Sequence, residues 1–112
     1  MVILDNPISV SDLSAMTGEF FDDMVKGVAD VERGKLALNA ELHSDLESML
    51  LADGSRQESL WGINLYPEIE DDDFVEFDSL INIRPWQGNR SRDVEDENVR
   101  EKIMSIVREL IR

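Results

Sequence analysis

Met24-Val25-Lys26-Gly27-Val28-Ala29-Asp30-Val31-Glu32-Arg33-Gly34-Lys35-Leu36-Ala37-Leu38-Asn39-Ala40 is the stretch on which the fold turns. Two short apolar runs flank an Arg-Gly pair, and glycine can supply the positive φ that a tight hairpin turn needs. A turn at Arg33-Gly34 sets Val31 opposite Leu36, Ala29 opposite Leu38 and Gly27 opposite Ala40, a small apolar face. It also sets Lys26 opposite Glu41 and Asp30 opposite Ala37 on the other face. One register makes sense of both faces, which predicts an antiparallel hairpin over 24–40.

Outward from the hairpin, residues 11–24 carry Leu13, Met16, Phe20 and Met24 at helical spacing behind a possible cap at Ser11, with Gly18 as a weak point. Residues 45–53 follow Ser44-Asp45-Leu46-Glu47, a capping-box pattern, and end at Gly54. Period-two alternation predicts strands over 60–66 and 74–84, joined by an acidic stretch. A last helix is expected over about 95–111, acidic at its start and basic at its end, as the helix dipole favours. These elements predict one α+β domain over residues 1–112. It has a mostly antiparallel four-stranded sheet and about three helices, in the order α-β-β-α-β-β-α, with the helices on one face and the polar strand faces turned outward.

The 112 residues suit a single domain that can hide about two-thirds of its unfolded surface. There is no cysteine, so disulfides, thiolate chemistry and zinc–thiolate sites are absent. The first residues lack the basic-then-apolar pattern of a signal peptide, and no uncharged run approaches the ~20 residues of a membrane span. A cytoplasmic protein without membrane contact is the expectation. Acidic residues outnumber basic ones 25 to 11, and the net charge of −14 opposes every phosphate contact. Nucleic acid is therefore not an expected partner.

Few residues here can carry chemistry. His43 is the only histidine, and it sits near Glu41 and Asp45 at the start of a predicted helix. Such an imidazole can serve as a general base, with Glu41 as its carboxylate, or simply make a structural hydrogen bond. Arg84, Arg90 and Arg92 reverse the local sign of charge around Gly88-Asn89, and arginine forks bind carboxylate or phosphate. The same arginines can instead pair with Asp93, Glu95, Asp96 and Glu97. A site, if formed, places His43 and Glu41 as catalytic residues, with Arg84, Arg90, Asn39 and Asn82 binding an anionic ligand. The acidic run from Glu68 to Asp78 does not match a calcium loop. Its adjacent carboxylates alternate sides in an extended chain, so no metal site is expected, and no cofactor motif is present. Trp86, after Pro85 in a polar loop, is a candidate surface anchor.

The stretches Glu41-Leu42-His43-Ser44-Asp45, Asp53-Gly54-Ser55-Arg56-Gln57-Glu58-Ser59-Leu60-Trp61-Gly62 and Ser79-Leu80-Ile81-Asn82-Ile83-Arg84-Pro85, with Gly88-Asn89-Arg90-Ser91, resemble a family of small prokaryotic proteins of unknown function. The resemblance covers nearly the whole chain. It implies a free-standing small protein and supplies no activity, cofactor or catalytic residue. Three functional readings stand from the residues themselves: the least favoured is a cation-binding protein using the acidic run, and the other two are of different classes. One is a non-catalytic binding or protein-interaction domain, whether its partner is another protein or a second copy. The other is a small enzyme or anion-binding protein built on His43, Glu41 and Arg84 or Arg90.

Overall fold

The computed structural model describes residues 1–112. The central hairpin is formed by β2 (Val25–Asp30) and β3 (Lys35–Leu38), paired antiparallel. Its turn is longer than the sequence suggested. Asp30 pairs with Lys35, Ala29 with Leu36 and Gly27 with Leu38. The cause is Asp30, a buried carboxylate that accepts the N–H groups of Glu32 and Arg33, each at 2.9 Å. That side chain holds Val31–Gly34 as a four-residue turn, closed by Gly34 N–H donating to the Asp30 carbonyl. The shift of pairing is two residues, so every side chain keeps its face.

The sheet has five strands, not four. A two-residue strand β1 (Val2–Ile3) adds to β3, β4 (Leu60–Leu65) lies against β2, and β5 (Val75–Glu76) closes the far edge. The order is β1-β3-β2-β4-β5 and every pairing is antiparallel. Three helices accompany it: α1 (Val10–Ser14), α2 (His43–Ala52) and α3 (Glu97–Leu110). None is long and apolar enough to cross a membrane.

The helices cover both faces of the sheet rather than one. Leu46 and Leu50 of α2 pack on Val28, Ala37 and Leu60. Ile103, Ile106 and Val107 of α3, with Leu13 of α1, pack on Val25, Ala29, Leu36, Leu38, Trp61, Ile63 and Leu65. The expected outward-facing polar side of the sheet is therefore mostly covered. Strand β4 buries all six of its residues for this reason.

Three local expectations change. The first helix stops at Ser14, capped by Ser9 and Asp12 in a reciprocal box rather than by Ser11. Gly18 then turns the chain at φ 91°, a conformation a helix does not contain. Helix α2 starts at His43 without the Ser44–Glu47 box, because the His43 ring is drawn into the core. The strand expected over 74–84 survives only at Val75–Glu76 and gives way to a 3₁₀ turn at Leu80–Asn82.

Candidate functional site

Beyond β5, the outer edge of β4 has no strand beside it, so side chains satisfy its backbone. Asn82 is fully buried and behaves as a substitute peptide. Its Oδ1 accepts from Gly62 N–H at 2.8 Å and its Nδ2 donates to Gly62 C=O at 3.0 Å. Further along, the buried Arg84 donates from its two terminal nitrogens to the carbonyls of Gln57 and Leu60. Its guanidinium lies 4.2 Å over the Trp61 ring, a cation–π contact, while its Nε is left without a partner. Asn89 pins the following loop by donating to the carbonyls of Asn82 and Asp93, each at 2.7 Å, and accepting from Glu95 N–H. This polar seam holds residues 79–95 against the sheet.

His43 belongs to the same seam. Its Nε2 is 2.8 Å from the Ile63 carbonyl, so that nitrogen carries the proton and donates. Its Nδ1 accepts from the Ser79 hydroxyl at 2.8 Å. Both ring nitrogens are thus occupied by protein partners, and burial pushes the pKa down to about 4 against the pull of the Ile63 carbonyl. A folded pKa below the unfolded 6.5 means the unfolded chain binds the proton first. The stability this confers is complete above pH ~6.5 and is lost as pH falls toward ~4, about 2–3 kcal/mol by pH 4.5. Urea melts at pH 7.5 and pH 4.5 should show this loss in the wild type and a clearly smaller one in His43→Gln. Equal losses would remove His43 as the source.

The other residues expected at this site do not join His43. Glu41 is exposed. Asn39, at φ 74°, donates to Glu19 at 2.7 Å. The Arg90 side chain is exposed, and its backbone N–H is taken by Glu95. Arg92 pairs with Asp78. Arg84 and Asn82 are committed to backbone groups, and Arg84 makes none of the ion pairs expected with Asp93–Glu97. Of those four acids, only Asp93 pairs with an arginine, Arg100.

One concavity has no direct sign in the sequence. A groove of about 750 Å³ runs between the 67–75 connection and α3. Its floor is apolar, with Val75, Met104, Val107 and Ile111, and Glu68, Glu70, Asp71 and Asp72 stand along one wall. It abuts a second hollow of about 600 Å³ that shares Asp72, Val75, Met104 and Arg108 and is edged by Glu97 and Glu101. The acidic carboxylates diverge: Asp71 caps its own turn by accepting from Asp73 N–H, and Asp72 reaches Arg108 at 3.5 Å. That ion pair is largely exposed and lies where the two hollows meet. The signal available in the sequence was the juxtaposition of an acidic run with the apolar stripe of the last helix, which only the fold brings side by side.

A family model described as "Protein of unknown function (DUF5674)" matches residues 2–110. No curated protein and no solved structure matches the chain.

Proposed function

The chain belongs to the DUF5674 family, for which no function is known, and from that premise we propose that it is a non-catalytic binding domain whose α3 groove receives a basic, apolar segment of a partner protein. One observation carries this proposal. The groove offers an apolar floor under a wall of four carboxylates, with a single cation, Arg108, at the edge it shares with the second hollow. Such a surface is complementary to a segment bearing both apolar and basic side chains, and the net charge of −14 would speed its encounter. A second copy of the chain is a poorer occupant, since it would bring the same sign of charge to the wall.

The catalytic alternative draws less support. His43 has no free nitrogen, and Arg84 and Asn82 are spent on the backbone of residues 57–62.

Selection from a random peptide display library tests the proposal. Enriched peptides should combine Lys or Arg with Leu, Ile, Val or Phe. Neutralising the wall by Glu68→Gln, Glu70→Gln and Asp72→Asn should weaken them by roughly tenfold and flatten their salt dependence. Peptides with no such composition, or indifferent to these substitutions, would sink the groove as the binding site.

A further inference from the structure

Strand β5 is the last strand of the sheet, and its outer edge has no neighbour. In an antiparallel ladder successive residues present their backbone groups to opposite sides. Phe74 C=O and the Asn64–Glu76 pair face β4, so Val75 C=O and the backbone of Phe77 face outward. Neither the N–H nor the C=O of Phe77 takes part in any hydrogen bond within the chain. Val75 N–H is turned back to Asp72 C=O. This open edge is a wall of the second hollow, which Val75 and Phe77 line on one side and Asn98, Glu101 and Met104 of α3 on the other.

An exposed strand edge beside a helix is a template for an added strand. The edge is short, so backbone pairing alone is a weak anchor, and side-chain contacts have to supply the rest. The groove provides them in a period-two arrangement. Val75 lies on the α3 face of the sheet with Leu65, while Glu76 lies on the other. An added strand would likewise place alternate side chains over Val75 and Met104. The intervening ones would point to the opposite face, the one that carries Glu76, past the carboxylates of Glu70, Asp72 and Asp73 in the 67–75 connection.

We infer that the groove's occupant binds as an extended strand, with alternating apolar and basic residues, and adds to the edge of β5. This rests on the groove being the binding site, and it goes further by fixing the partner's conformation and sequence period. The Arg108–Asp72 pair stands in the path of such a strand and competes for the same carboxylate. Arg108→Glu should therefore raise affinity for a basic strand.

The test compares short capped peptides by fluorescence anisotropy and by amide NMR shifts. One alternates leucine and lysine. The second has the same residues at helical spacing. The third is the alternating peptide N-methylated at every second backbone position, in both phases. The alternating peptide should bind at least tenfold tighter than the helical isomer and shift the amides of Phe77 and Glu76. One phase of N-methylation should cost at least tenfold and the other little. Arg108→Glu should tighten the alternating peptide several-fold. If the helical isomer binds equally well and neither phase of N-methylation matters, the added-strand geometry is wrong while the groove stands. If no peptide binds and library selection also yields none dependent on the acidic wall, the groove and the added strand both fall.

Discussion

Replacing Arg84 with alanine is expected to cost about 4 kcal/mol of folding stability. The side chain is 2% exposed and carries two charge-assisted hydrogen bonds to the carbonyls of Gln57 and Leu60. Removing it leaves the buried Leu60 carbonyl unpaired and strips the stacked face from Trp61, while the Gln57 carbonyl keeps only the N–H of Leu60. Burial already lowers the Arg84 pKa, offset by Glu47 and Glu58, so the site bears the cost of holding this cation and needs its partners to compensate. Lysine should recover only part of the loss, since one ammonium cannot serve two carbonyls in a fork and lie flat on an indole. Urea denaturation at pH 7, followed by the fluorescence of the buried Trp61, measures the series. Arg84→Ala within 1 kcal/mol of wild type, or Arg84→Lys equal to wild type, would show that the fork does not hold this edge.

How much of this was readable beforehand depends on where each residue finds its partner. The hairpin was legible because its two strands lie next to one another in sequence and their alternation is local. Its turn was not, because Asp30 decides it through a side chain rather than through a turn residue at the tip. The 74–84 segment looked like a strand since Val75, Phe77, Ile81 and Ile83 share one parity. Ser79 falls on that same parity, and this was the sign that the strand would fail there. In the fold Ser79 turns to His43, and Asn82 replaces a strand's backbone with its amide. The pairings His43–Ile63, Asn82–Gly62 and Arg84–Leu60 each span twenty or more residues. Periodicity within a segment carries no information about them.

The candidate site shows the same limit. The sequence singled out His43, Arg84, Asn39 and Asn82 as candidate site residues, but a polar residue at such a position can serve the fold as readily as a ligand. Seen as an edge-closing system, the seam explains why a short chain spends an arginine and two asparagines in its interior. Once the helices cover both faces of the sheet, the edge of β4 lies too deep for water to satisfy, and buried backbone groups demand partners. The groove went unrecognised for the opposite reason. Its acidic wall and its apolar floor come from residues 67–75 and 104–111, each ordinary alone.

Gly62→Ala tests how tightly that seam is assembled. A Cβ at position 62 would lie 2.5 Å from both Cβ and Oγ of Ser79, and 3.2 Å from a side-chain carbon of Ile81. Gly62 has no positive φ, so the requirement is for space and not for backbone freedom. Ser79 has little room to yield, because its N–H donates to Arg92 C=O and its hydroxyl serves His43. Nor can Gly62 retreat easily, since β4 is paired with β2 at Val28 and gripped by Asn82. The expected cost is about 3 kcal/mol, or a Tm lower by roughly 10 °C for a chain of this size. Gly34→Ala makes the contrast: nothing lies within 4 Å of its added methyl, and only its φ of 67° is strained, so about 1 kcal/mol is expected. Ser79→Gly should relieve the clash while leaving His43 Nδ1 unpaired, at about 2 kcal/mol by itself. The double variant Gly62→Ala, Ser79→Gly should then be destabilised by clearly less than the sum of the two, a coupling of about 2 kcal/mol. Simple additivity would mean that Gly62 and Ser79 do not meet, and that the close approach of residue 79 to the sheet is not what sets His43 in place.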